Sequence, residues 1–190
     1  MKLRYRFLCT ALLAAGGAAA AAQSPIRLQP AQSEVTFVTK QMGVPVEGKF
    51  KTFAATLDLD PKKPESGSIS VQITMLSGLL GVAEADAELP KPIWFDVAKF
   101  PEATFKSTSI KSHGNGKFMV NGQLTIKGIA RDLAVPVSIT QAGPNSTATG
   151  TFVVKRLDHT IGQNEWTDTT VVANDVQVKF KLTFTGLAPL

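Results

Sequence analysis

The chain has 190 residues, with 20 Lys and Arg against 15 Asp and Glu, and a single cysteine. Three of the basic residues fall within the first 22, so the 168 residues that remain carry seventeen bases against fifteen acids, about +2, and lack the strongly basic face of a nucleic-acid binder. The cysteine, Cys9, lies in that same leader, which removes disulfides, cysteine zinc sites and thiol nucleophiles from the body of the chain.

Residues 1–22 combine a basic start (Lys2, Arg4, Arg6), an apolar centre from Phe7 to Ala15 and a small-residue end. This is the pattern of a secretory signal peptide with cleavage expected near Ala22, since the apolar run is shorter than the ~20 residues a membrane span needs. Cleavage implies export, to the periplasm where the host has one, and leaves residues 23–190 as one domain with enough length for a sizeable core.

From Ser33 the sequence alternates, with Val35, Phe37 and Thr39 sharing one face. Phe50 to Leu59 follows, but Phe50 and Phe53 differ in parity, which predicts a bulge or a change of face between them. Residues 60–67 are dense in turn formers, and Ile69, Val71, Ile73 and Met75 then give a regular strand. Leu79 to Leu89 predicts a short helix, with Leu80, Ala83 and Ala87 at helical spacing and Pro90 ending it.

The next stretch, KPIWFDVAKFPEATF (Lys91 to Phe105), is rich in aromatics yet fits neither a helical nor a strand period. Pro92 and Pro101 each remove a backbone donor and restrict the residue before them. The expected structure is an irregular cover carrying Trp94 and Phe95 across the end of a sheet, with Phe105 on the strand beneath. Lys117 to Ile126 and Ile129 to Ile139 are strands separated only by Lys127-Gly128, a tight hairpin. Gly143-Pro144-Asn145 is a further turn, Thr147 to Lys155 a strand, and His159 to Asp168 a polar loop. Val176, Val178, Phe180, Leu182 and Phe184 then alternate with polar residues along the last strand.

These segments make an all-β protein of about eight mostly antiparallel strands with one short helical insertion. Periodicity leaves two architectures open, a two-sheet sandwich and a closed barrel. An eight-stranded barrel is just wide enough to be filled by side chains or to hold one small ligand.

The order of short motifs is more specific. Gln32-Ser33-Glu34-Val35-Thr36-Phe37, Val46-Glu47-Gly48-Lys49-Phe50, Trp94-Phe95-Asp96 with Phe100-Pro101, Gly122-Gln123-Leu124-Thr125-Ile126-Lys127-Gly128, and Arg156-Leu157-Asp158 with Ile161-Gly162 occur in sequence. Together they resemble the YceI-like polyisoprenoid-binding family, over nearly all of the chain after the leader. The resemblance implies an antiparallel eight-stranded lipocalin-like barrel, exported in bacteria, whose apolar cavity holds a polyisoprenoid lipid or an isoprenoid quinone as carrier or reservoir. It turns the shared apolar face into a cavity wall, for which Phe37, Phe50, Ile73, Trp94, Phe95, Phe105, Leu124, Phe152, Val178 and Phe180 are the expected lining. Gln32 stands where the family often has His, and Ala85-Asp86 where it often has an Arg-Asp pair. The end of the chain, from Arg156 to Val176, is similar to the branch found near genes for membrane b-type cytochromes, which implies such a cytochrome as a candidate partner.

Polar residues offer little chemistry beside this. His113 and His159 lie in turn-like and polar surroundings and read as solvated, with too few neighbours of ligand type for a metal site. Glu84, Asp86 and Glu88 cluster in the helical insertion, and Asp58 and Asp60 at a strand end, as solvated faces rather than acid/base pairs. No nucleophile motif accompanies them, so neither catalytic residues nor a cofactor are expected. Arg156, one of two arginines after position 27, reads either as a head-group contact at the barrel mouth or as an ion pair with Asp158. Two other readings stay open: an interaction or stress-response barrel with a self-filled core, and a lipid-modifying enzyme acting within the cavity.

Overall fold

The computed structural model describes residues 25–190, so the leader and its cleavage lie outside the described residues. Among the described residues eleven strands and one α-helix follow in order, with short 3-10 turns between them: β1 (Arg27–Leu28), β2 (Glu34–Gln41), β3 (Val44–Phe50), β4 (Phe53–Asp58), β5 (Ser68–Thr74), β6 (Gly78–Leu79), α1 (Ala83–Glu88), β7 (Glu102–Gly114), β8 (Lys117–Ile126), β9 (Ile129–Ala142), β10 (Asn145–Lys155) and β11 (Asp175–Thr185). All pairings are antiparallel, in the order β4-β5-β7-β8-β9-β10-β11-β2-β3-β6, with β1 beside β11.

The two ends of this order are the same run of chain. β3 and β4 are separated only by Lys51 and Thr52, which explains the parity change between Phe50 and Phe53. Ser77 holds this break open: its carbonyl accepts from the Lys51 N–H at 3.2 Å and its hydroxyl from the Thr52 N–H at 3.0 Å. Above the break the strand pairs with β2 and β6, and below it with β5. The sheet therefore curls back on itself as a lipocalin-like barrel. The count exceeds eight because β3 is a strand in its own right and because β1 and β6, two residues each, are too short for any period to show.

Alternation sets which side chains face inward, and the register aligns them. Val35, Phe37 and Thr39 of β2 lie beside Phe180 and Val178 of β11 and Phe50, Gly48 and Val46 of β3. Gly48 sits directly across from Phe37, whose ring occupies the space a Cβ would need, and Gly150 relates to Phe180 in the same way. The missing Cβ lets each ring lie along the wall instead of pointing across the lumen. The Lys127-Gly128 loop is the two-residue hairpin its sequence predicts, with φ of 49° and 72° and Ile126 paired to Ile129.

Strand directions divide the barrel into two ends. At one end lie the β2–β3 turn, the β8–β9 turn, the 75–101 insertion and the 156–174 loop; at the other lie the turns at 59–67, 115–116 and 143–144. The main core, with Leu59, Ile110, Phe118 and Phe184, fills towards this second end. A smaller cluster of Met75, Leu89, Phe95, Ala103 and Ile161 packs beneath the insertion at the first. The helix there is shorter than Leu79 to Leu89. Gly78 and Leu79 pair with β3, Gly81 takes φ of 83°, and the Asp86 carboxylate accepts from the Leu80 and Gly81 N–H groups, so helix starts only at Ala83.

Candidate functional site

A cavity of about 560 Å³ runs inside the barrel and reaches the first end. Its wall takes residues from nearly every strand, because every strand turns its apolar face inward. All ten positions expected to line it do so: Phe37, Phe50, Ile73, Trp94, Phe95, Phe105, Leu124, Phe152, Val178 and Phe180. Aromatic rings meet across neighbouring strands, with centroids 5.3 Å apart for Phe37 and Phe50, and 6.4 Å for Phe152 and Phe180.

The irregular segment lies where a cover belongs. Residues 90–100 form a series of turns. Phe95 is buried against Phe50, and Trp94 packs against Trp166 at 5.4 Å between ring centroids. The Ile93 carbonyl accepts from the Gly162 and Gln163 N–H groups at 2.9 and 3.2 Å, which ties this segment to the 156–174 loop. Lys127 reinforces the joint from the β8–β9 turn, donating through Nζ to the carbonyls of Pro92 at 3.0 Å and Thr160 at 2.9 Å. Burial pushes the Lys127 ammonium below its ordinary value, while Asp96 favours the charged form.

Arg156 also lines the cavity, but its role differs from both sequence readings. The residue is only 2% exposed. Nε donates to the Ala173 carbonyl at 3.0 Å, Nη1 to Ile161 at 2.8 Å and Gly162 at 3.2 Å, and Nη2 to Trp166 and Val172 at 2.6 Å each. A guanidinium has five N–H groups, and each is taken by a backbone carbonyl. The expected head-group contact does not fit this geometry, because no donor is left for it, and no ion pair forms with Asp158 among the described residues. Arg156 organises the loop that carries Trp166. His159 is likewise not the solvated residue expected: it is 2% exposed, and its Nδ1 donates to the Ile129 carbonyl at 3.1 Å. His113 is exposed as expected.

The polar atoms of the wall gather near the open end. Thr39 and Gln41 of β2 and Glu84 and Glu88 of α1 border the cavity, the last three also exposed to solvent. The i, i+4 spacing of the two glutamates puts them on one helix face, while Asp86 turns back to the backbone. Lys91 pairs with Glu88 at 2.5 Å. The Thr39 hydroxyl is buried with no hydrogen-bond partner among the described residues. Apart from Arg156, no cationic side chain is found in the described wall. Sequence reasoning missed Gln41, Glu84, Glu88 and Trp166 as wall residues. The parity of β2 and the glutamate spacing carried a signal for the first three; nothing local marked Trp166, which reaches the cavity only through the loop that Arg156 folds.

The wall is thus a largely apolar surface with a sparse polar rim, suited to an apolar molecule. A family model described as a YceI-like domain matches residues 27–184. The crystal structure of BcnA from Burkholderia cenocepacia is 41% identical and superposes with a TM-score of 0.79, covering 82% of this chain and 98% of that one. A UPF0312 protein of Shewanella baltica is 31% identical over 157 residues, 78% of this chain and 82% of the relative. A polyisoprenoid binding domain from Saccharophagus degradans shares the fold at 14% identity, with a TM-score of 0.71 over 85% of this chain and 98% of that one.

Proposed function

The chain belongs to the YceI-like family, and from that premise we propose that it is an exported, non-catalytic binding protein that holds a polyisoprenoid chain or an isoprenoid quinone, as carrier or reservoir. The observation that carries the reading is the cavity wall: about 560 Å³ enclosed by aromatic and aliphatic side chains from all around the barrel, within the size range of small-molecule sites. A polyprenyl tail gains about 0.8 kcal/mol for each CH₂ it buries there, or roughly 4 kcal/mol per isoprene unit before the costs of association. Affinity on this scale needs no charged contact, which agrees with an Arg156 whose donors are spent. A barrel filled by its own side chains would enclose no such space, and the cavity therefore supports the ligand-binding reading over that of a self-filled barrel. The leader supports export to the periplasm. A quinone ligand, and a membrane b-type cytochrome as its recipient, remain extensions of the same reading.

Native mass spectrometry with solvent extraction tests it. The expected result is a protein that carries a prenyl lipid from its host or takes up added polyprenol or quinone, and returns it chemically unchanged. A protein that is uniformly free of lipid and accepts neither ligand would overturn the proposal. An altered product would move it to the lipid-modifying class.

A further inference from the structure

We propose that the β2–β3 turn docks the cavity mouth onto the surface of a lipid bilayer. The proposal rests on the lipid-binding reading for its purpose and on separate observations for its geometry. Residues 41–45 are all exposed, and two large apolar side chains stand at the tip: Met42 at 73% and Val44 at 63% exposure. Met42 has φ of 47° and Gly43 of 81°, the two-residue turn in which both central positions take left-handed backbone. Asn, Asp and Gly suit that first position, and a long unbranched side chain pays a steric cost there. The sequence therefore places an exposed apolar side chain where turn geometry favours a small polar one; at the same position of the β8–β9 turn the long side chain is Lys127, whose ammonium is hydrogen-bonded, whereas Met42 stands in solvent.

The turn is also held firmly. The Met42 N–H donates to the Val171 carbonyl at 2.8 Å, the Ala173 N–H donates to the Lys40 carbonyl at 2.9 Å, and Gln41 bridges Val172. Its exposure is thus a fixed presentation of the tip and not fraying. Thr39 and Gln41, immediately before the tip, line the cavity, as does Val46 immediately after it. A third exposed apolar residue lies towards the same end. β6 runs antiparallel to β3, so the chain leaving Leu79 heads towards the β2–β3 tip, and Val82, 55% exposed, lies on this path just before the helix whose Glu84 and Glu88 line the cavity. Exposed apolar side chains therefore stand on the β2–β3 turn and just before the helix that borders the cavity.

Among the described residues no helix is long and apolar enough to cross a membrane. Three inserted side chains give weak, reversible adsorption of the kind a single short anchor gives, which suits a carrier that must leave again. A bilayer is the occupant that fits, because the ligand the cavity suits dissolves in bilayers and not in water. Contact would let it pass from membrane to cavity without crossing solvent.

The test measures transfer of an NBD-labelled polyprenol from the protein to phosphatidylcholine vesicles. Docking predicts a transfer rate that rises in proportion to vesicle concentration, and a fall of about tenfold or more in the double variant Met42→Asn/Val44→Thr. Equilibrium affinity for the labelled lipid should change less than about twofold, because neither residue lines the cavity, and the melting temperature should stay equal or rise, because Asn suits the turn. A wild-type rate independent of vesicle concentration, or an unchanged rate in the variant, would overturn the proposal and leave the tip to a protein partner. If the labelled polyprenol fails to bind at all, the cavity reading falls, and flotation of the unliganded protein with the same vesicles still decides docking: flotation lost in the double variant supports it, and no flotation of the wild type overturns it.

Discussion

Arg156 shows how a single residue can be identified from sequence and still be misread. Its rarity and its place after an apolar run marked it as informative. Its partners did not show, because all five are main-chain carbonyls from residues 161 to 173, which no side-chain pattern encodes. Arg156→Lys should therefore destabilise the fold by about 2 kcal/mol, since three ammonium donors cannot satisfy five carbonyl acceptors, three of them in fully buried contacts. Urea unfolding measures it; an unchanged midpoint with weakened lipid binding would restore the head-group role. His159 was misread for the same reason, as a polar-loop residue that tertiary packing buries. Burial holds its imidazole below the usual value of about 6.5, against the carbonyls of Ile129 and Ile126, which favour the charged ring. The unfolded chain then takes up this proton first as pH falls. The His159 contribution is complete above about pH 6.5 and is lost as pH falls from there through the lowered folded value. Melting temperature followed from about pH 7.5 to about pH 5 should decline more in the wild type than in His159→Asn, and equal declines would show that this ring does not govern the dependence.

At the scale of elements, what the sequence made legible was set by length and period. The strands of seven or more residues with strict alternation, β2, β5 and β11, stand where their apolar parity puts them, and the Lys127-Gly128 turn follows from its two-residue spacing. β3 was hidden because Val44-Pro45-Val46-Glu47-Gly48 breaks the apolar alternation with a glycine on its inner face. That glycine is functional in the wall: it accommodates the Phe37 ring, and the strand gives up a side chain to keep the lumen open. Gly48→Ala should drive the Phe37 ring inward towards Phe50. The expected cost is about 1–3 kcal/mol from overpacking, together with a loss of affinity that is greater for long prenyl ligands than for short ones. Calorimetric titration with geraniol and geranylgeraniol reads the difference, and equal losses for both would mean the ring does not move into the tail's path. The cover segment was legible in a negative sense, since its lack of any period is what a loop packing across a barrel end produces.

For the whole molecule, periodicity left sandwich and barrel equally open, and the ordered motifs decided between them. Alternation reports only that side chains share a face. Whether that face surrounds a ligand depends on closure of the sheet, and closure depends on a two-residue break at Lys51 and Thr52 held by Ser77. The polar rim was the least legible part, because Thr39, Gln41, Glu84, Glu88 and Trp166 converge from three separate segments. Under the proposed function the prenyl tail, not the head group, is the source of affinity. The most direct test compares dissociation constants for geraniol, farnesol and geranylgeraniol, and for geranylgeranyl diphosphate. The account predicts affinity rising by about tenfold or more with each added isoprene unit while the cavity fills, and a diphosphate that binds no more tightly than its alcohol. Affinities flat with tail length, with the diphosphate binding far more tightly than the alcohol, would contradict it.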